Sequence, residues 1–541
     1  MPVHLRRNPA VSALVLLSCL ALTVAFVPGA AAQEPTNYPG ELIHRHPLLP
    51  SLPEPGAGES PVAKEFPARD VNAALLHFFT LLVYENVHYW SVNSFVEDWQ
   101  YELTWEDQKR KWFKGDGFRF DSNAFSTNWT HSYAGGIYYT TGRANGLTPL
   151  ESFYLVLGES IYWEGVVEWR EVFSLNDTAS TIFGGISIGE PWYQLAAYLN
   201  SRDGRMARTL GFIHPVMGVQ TLMGKRWPGA MSGEGMPGYG VHLVVGARST
   251  DSPVSSVNRG SGVIGIRSRL ADRGAFLAPG SLVSTVTDTI SSELSFSFAM
   301  DGGKVRETEF FSRAVLLGRV DRAIDAAGHG RTWSLGLGSA FTLRKLAPVA
   351  FYDGLGVPAG REEELLLDQP RDFRDKQALV HLVGPVVEGV WRGSAGAVSF
   401  LAEAYPDFGL VNAYALNDYS EGRDISGMKT TMVYYGYYYG WGGSLMARVD
   451  AEVGPFSAGL AGELHRHASI EGRDRFQDDL AADVHATDAW DRLRASVGVA
   501  VPRTPLRLEG SGEWTRRKGR IGETVTVDTE TRYTLSVLFS L

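Results

Sequence analysis

The end of the chain alternates without a break. Thr531, Tyr533, Leu535, Val537, Phe539 and Leu541 fall on one face of an extended strand, and Arg532, Thr534, Ser536, Leu538 and Ser540 fall on the other. Successive strand side chains point to opposite faces. The segment therefore sets an apolar, aromatic-ended face against a mostly polar one, as a strand between lipid and a wet lumen requires. The same period recurs in Ser291–Ala299, Thr430–Tyr439, Leu445–Val453, Phe456–His467 and Ala495–Val501. Residues 203–541 are thus expected to form an antiparallel outer-membrane β-barrel of about 12 strands, in the range of about 10–14. A soluble β-sandwich also alternates. The strand count, the export signal described next and the apolar final strand favour the barrel.

Arg6 and Arg7 precede an apolar run from Val11 to Val27, and Ala30-Ala31-Ala32 supplies a small-residue exit. Residues 1–32 read as a secretory signal peptide. The single cysteine, Cys19, lies inside it, so the exported chain is expected to use no disulfide, thiolate metal site or cysteine nucleophile. No later run of 18 or more apolar residues exists, which excludes a multi-span helical membrane protein. Glycine (60 of 541 residues) and aromatics (11%) are plentiful, as suits β-rich or membrane-embedded chains. The formal charge of −10 argues against nucleic acid as a partner, since phosphate contacts need a basic surface.

Residues 33–69 are rich in proline and read as an extended leader. Residues 70–202 change to a helical period, and a bundle of about four helices is expected to plug the barrel or dock on it. Asp70 N-caps a run from Val71 to Val87 that is apolar almost all round and too short to span a bilayer. A second helix covers His131 to Arg143. A third covers Thr148 to Glu171, with Thr148 as N-cap and Pro149 at the first helical position. A fourth opens at Asn176 or Asp177 and runs to about Asn200, with Pro191 expected to kink or interrupt it. In the barrel region, Tyr434, Tyr435, Tyr437, Tyr438, Tyr439 and Trp441 suggest an interfacial aromatic girdle. Arg361–Lys376 and Glu471–Asp479 read as loops.

The polar residues of the helical region are grouped. Ser160, Glu164 and Glu168 at i, i+4 and i+8 share one helix face among apolar neighbours. Carboxylates there must be paired, protonated or turned into a wet cavity. His131 lies on the second helix with Arg143 further round, and Asn176 and Asp177 open the fourth. Gly184 and Gly185 allow close backbone approach, and Arg143 is a pairing position. Three readings follow. His131 acts as acid/base with Glu164 or Glu168, and Ser160 or a water is the nucleophile. Alternatively, His131, Glu164, Glu168 and Asp177 hold a divalent metal. In the third reading His131 and Arg143 pair with the glutamates and Asp177 caps a helix, knitting the bundle together. No metalloprotease, nucleophile-elbow or phosphate-loop motif is present, so no cofactor or metal is assigned, and the residues leave enzyme and non-enzyme readings open. In the barrel, Glu463, His465 and His467 alternate and are expected to face the lumen, as metal ligands or as ordinary lumen polarity.

The order Asn128, His131-Ser-Tyr133-Ala-Gly135, Tyr139, Arg143, Gly146, Ser160-Ile-Tyr-Trp163-Glu164, Glu168, Ser174-Leu-Asn176-Asp177, Gly184-Gly185 and Gly189-Glu190 resembles the bacterial family called domain of unknown function 3943, over about residues 113–190. It is more distantly similar to VanZ-like envelope proteins. Where the family usually has a proline after the histidine and a second histidine before the glycine, this chain has Ser132 and Ala134. The family implies an outer-membrane or envelope setting, offers no established reaction, and adds weight to His131, Glu164, Glu168 and Asp177 as one unit. The last strand is similar to the C-terminal signal that barrels present to their assembly machinery, with Leu541 where phenylalanine is usual. The expected partners are therefore outer-membrane lipid, that machinery, and a small-molecule or lipid ligand. The expected roles are envelope integrity or small-solute and lipid handling, with a lipid- or glycolipid-modifying hydrolase as the alternative.

Overall fold

The computed structural model describes residues 68–93, 104–114, 117–120, 125–202, 204–227, 231–252, 260–348 and 374–541. The segments expected to be a signal peptide and, in nearly all its length, a proline-rich leader fall outside the described residues. Twelve antiparallel strands close into a barrel. They are β1 (Gly240–Asp251), β2 (Gly260–Asp272), β3 (Gly280–Asp301), β4 (Lys304–Ile324), β5 (Gly330–Pro348) and β6 (Arg374–Arg392). They continue as β7 (Ala397–Asn412), β8 (Tyr437–Val453), β9 (Phe456–Ser469), β10 (Ala486–Ala500), β11 (Leu506–Ile521) and β12 (Thr524–Ser540). Each pairs with the next, and β12 pairs with β1, from Ser540 opposite His242 to Thr531 opposite Asp251. Closure leaves no strand edge, which is what a sheet needs in lipid. One end carries the long connections 349–373, 413–436 and 470–485. At the other end the turns are short, and the chain enters β1 and leaves β12 there. These are called the loop end and the turn end.

Alternation sorts the wall as the sequence demands. Trp333, Leu335 and Leu337 on β5, Leu445 and Val449 on β8, Leu460 and Leu464 on β9, and Leu535 and Val537 on β12 are exposed and point outward. Arg344, Asp450, Glu463 and Arg532 on the same strands have the opposite parity. They meet other strands' charges across the lumen, with Arg532 Nη1 2.8 Å from Glu309 Oε1 and Arg269 Nη1 3.1 Å from Asp450 Oδ2.

Both ends of the lumen are filled. At the turn end the segment before β1 crosses it. Ser399 Oγ donates to the Pro237 carbonyl at 2.7 Å, Tyr239 packs under Arg269, and Met236 joins Phe276, Val390 and Met446 in an apolar layer. At the loop end Leu416 and Met432 pack with Leu379, Tyr438 and Ile521, and the Tyr414 hydroxyl donates to Asp528 at 2.9 Å. Between these layers lies a cavity of about 270 Å³.

The helices precede the barrel: α1 (Val71–Asn93), α2 (Trp105–Phe113), α3 (Phe125–Ala144) and α4 (Pro149–Tyr162), which runs into a π-helical turn at Trp163–Val167. Then α5 (Leu175–Ala179) continues through a second π-helical turn, Ser180–Gly184, into α6 (Gly185–Asn200). Two short helices follow, α7 (Arg205–Leu210) and α8 (Pro215–Leu222). Thr148 caps α4 through a capping box with Glu151, as expected. The N-cap of α5 is Ser174 rather than Asn176 or Asp177, and Pro191 stays inside a continuous α6. The first π-helical turn ends the α4 register, so Glu168 leaves the face it was expected to share with Ser160 and Glu164.

The helices dock on the outside of the wall and do not enter the lumen. Parity shows this. Ser339, Phe341 and Leu343 continue the outward set of Trp333, Leu335 and Leu337, yet they are buried, because α3, α5 and α6 cover them. The covered positions follow one hydrogen-bonded row across the sheet. The row runs from Tyr439 through Leu410, Ala378, Leu343, Phe310, Phe296 and Ile266 to Leu243 and Phe539. It starts at the loop end of β8 and finishes at the turn end of β12. Residues 175–200, about 39 Å long as a helix, lie along it. Asn176 bonds Tyr439, Ser187 Oγ lies 2.8 Å from Ser339 Oγ, and the Tyr198 hydroxyl donates to the Leu541 carbonyl at 3.0 Å.

This docking revises the aromatic girdle. Tyr437 and Tyr439 are buried under the helices, Tyr438 points inward to Asp488, and Trp441 remains exposed. Residues 430–435 form a helical turn, so β8 starts only after the left-handed Gly436 and not at Thr430. Most of the loop expected at 361–376 is outside the described residues, and its last residues, 374–376, open β6.

Within the bundle α3 and α5–α6 run side by side at backbone contact. A Cβ on Gly135 would collide with the Thr181 carbonyl oxygen, one on Gly185 would lie 2.7 Å from the Gly135 carbonyl carbon, and one on Gly184 would strike Ser132. Small residues allow such an approach between helices. Gly185→Leu is expected to force α3 and α6 apart at a cost of about 1–3 kcal/mol. Limited proteolysis should then cut the bundle, while the barrel keeps its folded mobility on unheated gels.

Candidate functional site

The polar residues of the bundle collect at two places. The first lies at the loop end, where α3 and α5 meet β8. His131 Nδ1 is 3.2 Å from Asp177 Oδ1. Ser174, the N-cap of α5, places its Oγ 2.7 Å from Asp177 Oδ2, and the Asn176 amide donates to Asp177 Oδ1 at 3.0 Å. That amide also reaches the hydroxyl of Tyr439 at 3.1 Å, which takes a further bond from Asn128 at 3.0 Å. The barrel therefore supplies the floor of this cluster. Glu164 joins it at one remove, with Oε2 accepting the Ser174 backbone N–H at 2.8 Å. Asp177 is buried, while the His131 side chain is 24% exposed and is the part that reaches the bundle surface.

The end of α4 is held separately. Helix ends leave carbonyls without partners, and α2 supplies donors for them. Lys111 Nζ donates to the carbonyls of Glu164 and Glu168, and Gln108 Nε2 to those of Gly165 and Trp169 at 3.1 and 3.0 Å. The Glu168 carboxylate accepts from the Trp163 indole at 3.1 Å. Glu168 thus belongs to this helix end and not to the His131 cluster. Ser160 is buried on α4, and no described hydrogen bond joins it to His131.

The second place is the crossing of α3 and α6. Arg143 Nε lies 2.8 Å from Glu190 Oε2, and Nη2 lies 3.2 Å from Oε1, a bidentate pair with both side chains buried. Glu190 also accepts from the hydroxyl of Tyr139 at 2.8 Å, the Gln194 amide at 2.6 Å and, from the barrel, the hydroxyl of Thr289 at 3.0 Å. Thr289 has φ of 45°, in the left-handed region, at an irregularity in the β3–β4 pairing. Arg143 is completed by the Leu147 carbonyl at 2.6 Å and by the Tyr193 ring beneath it. Just beyond α3, Lys225 donates to the Ala144 carbonyl at 2.6 Å, and burial pushes its ammonium down to about 8. Gly184 and Gly185 serve the helix crossing between these two clusters.

The sequence grouped His131, Asn176 and Asp177 and marked Arg143 as a pairing position; the structure brings the first three to one place and sets Arg143 against Glu190. It did not give Glu190 that partner, although Gly189-Glu190 stood in the motif. Lys111, Ser174 and Tyr439 were not legible. Ser174 offered a weak signal as a serine just before a helix. Tyr439 offered none, being some 260 positions away in sequence.

Residues 117–220 match the model of a domain of unknown function, DUF3943. Both clusters lie within that DUF3943 segment except for the residues the barrel contributes. No curated protein matches the chain. Among solved structures, the translocator domain of autotransporter NalP from Neisseria meningitidis is 10% identical over 56% of this chain and 89% of that one, with a TM-score of 0.19. The beta domain of the Bordetella autotransporter BrkA is 12% identical over 56% and 100%, with a TM-score of 0.20. A Pseudomonas aeruginosa FadL homologue is 10% identical over 56% and 90%, also at 0.20. At such scores the barrel assignment stands on the strand pairing itself.

In the lumen, Glu463, His465 and His467 face inward as expected. His467 Nε2 and His381 Nδ1 flank the Asp407 carboxylate at 3.1 and 2.6 Å, His465 Nδ1 meets Ser444 Oγ at 2.6 Å, and Glu463 lies 3.5 Å from Arg492. Among the described residues, no group of three or more His, Cys, Asp or Glu is arranged to hold a metal ion.

Chemically, the loop-end cluster is a carboxylate–imidazole pair whose imidazole is partly exposed. Such a pair orients the imidazole and suits it to donate or accept a proton. Two stability predictions follow from the geometry. Glu190→Gln leaves Arg143 buried without its counter-charge and should cost about 3–5 kcal/mol, whereas Arg143→Met with Glu190→Met should cost clearly less; urea unfolding compares the two. Tyr439→Phe removes the hydroxyl that two buried amides share and should cost about 1–3 kcal/mol, with bundle unfolding moved to lower urea and the barrel transition unchanged.

Proposed function

We propose that this is an outer-membrane barrel whose lumen, obstructed by folded segments at both ends, is a scaffold, and whose working part is the DUF3943 bundle on its outer wall, handling lipid at the His131–Asp177 cluster. The observation that carries the reading is the position of that cluster. It sits on the lipid-facing side of the wall, with a barrel tyrosine as its floor, while both ends of the lumen are filled. Passage of solutes through the lumen would require the layer around Met236 and Tyr239 and the layer around Leu416 and Met432 to move together. The lumen's crossed ion pairs, such as those of Arg313 with Glu388 and Glu403 at 3.0 and 3.3 Å, support a rigid interior. The partner under this reading is outer-membrane lipid, reached after export and barrel assembly.

Lipid handling takes two forms, binding or covalent modification. His131 and Asp177 supply an acid/base pair for the second. Modification at this site would set the His131–Asp177 pair to work on a water or on a group of the lipid itself. The experiment compares outer-membrane lipids by mass spectrometry in wild type, a deletion, and the deletion complemented with His131→Asn at matched protein level. Under modification, the deletion and the variant share an altered lipid. Under binding alone, the lipid species are unchanged and a lipid co-purifies with the wild type but not with His131→Asn. Purified protein in planar bilayers is expected to show no steady conductance. A stable open channel would contradict the scaffold reading.

A further inference from the structure

Among the described residues, α1 and α4 form an outer layer of the bundle with an apolar outward surface, whereas exposed charges collect at α2, on Glu106, Lys109 and Lys114. On α1 the outward stripe is Leu75, Leu76, Phe79, Val83 and Val87, all exposed, with Phe79 at 54% and Val87 at 64%. On α4 it is Leu150, Tyr154 and Ile161, with Val166 in the following turn. No charged residue interrupts either stripe. A helix covering a water-exposed surface carries charge on that face, and an exposed apolar area of this size marks a contact with something else. The bundle also covers part of the wall that the uncovered strands give to lipid. The row from Tyr439 to Phe539 runs from the loop end to the turn end, so residues 175–200 traverse the height of that wall obliquely. Phe78, Leu81 and Leu82 of α1 share an apolar cluster with Leu316 of the wall, so the α1 stripe meets the wall beside the exposed, outward-facing Leu317, Leu335 and Leu337.

We infer that the bundle is immersed in the bilayer beside the barrel, with acyl chains covering the outward faces of α1 and α4. The inference rests on the barrel being in a membrane and is independent of whether lipid is modified. No helix among the described residues is long and apolar enough to cross a membrane by itself. The bundle does not need one. The charges that depress the hydropathy of α3 and α6, Arg143 and Glu190, are paired with each other, and the wall shields that side. The depth of the two clusters then follows. Asp177 and His131 lie at the loop-end side, in the cluster that rests on Tyr439, at the level of the headgroups and ester carbonyls of one leaflet. The ligand class is thus the polar head or ester region of a membrane lipid.

The test uses single cysteines in a Cys19→Ser background, labelled with a small fluorophore and reconstituted in phosphatidylcholine nanodiscs. Phe79→Cys and Tyr154→Cys report on the bundle, Leu445→Cys on the barrel wall, and Ala326→Cys on the turn between β4 and β5. Phosphatidylcholine brominated on its acyl chains is expected to quench the probes at 79 and 154 as strongly as that at 445, and several-fold more than that at 326. Aqueous iodide should show the reverse order. Strong iodide quenching at 79 and 154 with lipid quenching retained at 445 would overturn the inference and leave the barrel in its membrane. Iodide quenching at 445 as well would instead remove the membrane reading itself. Unheated gel mobility of each labelled protein confirms a folded barrel before reconstitution.

Discussion

The structure depends on how two apolar surfaces stay together where there is no water to drive them. Burial of apolar area is favourable when it removes that area from water. Between a lipid-facing wall and a bundle inferred to lie in lipid beside it, this term would be nearly absent, leaving close packing and hydrogen bonds to supply the adhesion. The joint is built accordingly. Along one oblique row the bundle places Asn128 and Asn176 on Tyr439, Ser187 on Ser339, Glu190 on Thr289 and Tyr198 on the Leu541 carbonyl. Each is a polar contact set among apolar neighbours such as Phe310, Phe341 and Trp192. Glu190 is the centre of the set, because it holds α3, α6 and the barrel through one carboxylate.

The same constraint shapes the helices. Gly135 and Gly185 bring α3 and α6 to backbone contact, and the π-helical turn at Ser180–Gly184 lies at that crossing. The strands respond too. Irregular pairing occurs between Asp288 and Ser291, between Val315 and Leu317, between Gly338 and Ala340 and between Glu403 and Asp407, on neighbouring strands at or near the covered row. Bulges bend a sheet and increase its local twist. Thr289, the barrel's donor to Glu190, sits at one of them with a positive φ.

The barrel was legible because its signal is local: a period of two over many segments, seen most cleanly from Thr531 to Leu541. The helical cluster was partly legible for a similar reason. His131, Asn176 and Asp177 are brought together by two helices whose periods can be read. What the sequence hid was which face of the wall the helices would take. Tyr437 and Tyr439 have the outward parity of lipid-facing residues and look like girdle aromatics, and only the fold shows that a helix covers them. The shared face of Ser160, Glu164 and Glu168 failed because a π-helical turn adds a residue, which no spacing rule on α-helices anticipates. The partner of Glu190 was within reach, since Arg143 was already marked as a pairing residue on the neighbouring helix.

The proposed function follows from the side on which the bundle lies, so that placement is the claim to test directly. Ser187 and Ser339 face each other with 2.8 Å between their hydroxyl oxygens, and the chain's only cysteine is Cys19. In a Cys19→Ser background, Ser187→Cys with Ser339→Cys should form a disulfide upon mild oxidation in membranes, read as a mobility shift reversed by reductant. Ser187→Cys with the lumen-facing Thr342→Cys should form none. The opposite pattern, with linkage to the lumen position and none to 339, would place the helices inside the barrel and contradict the account.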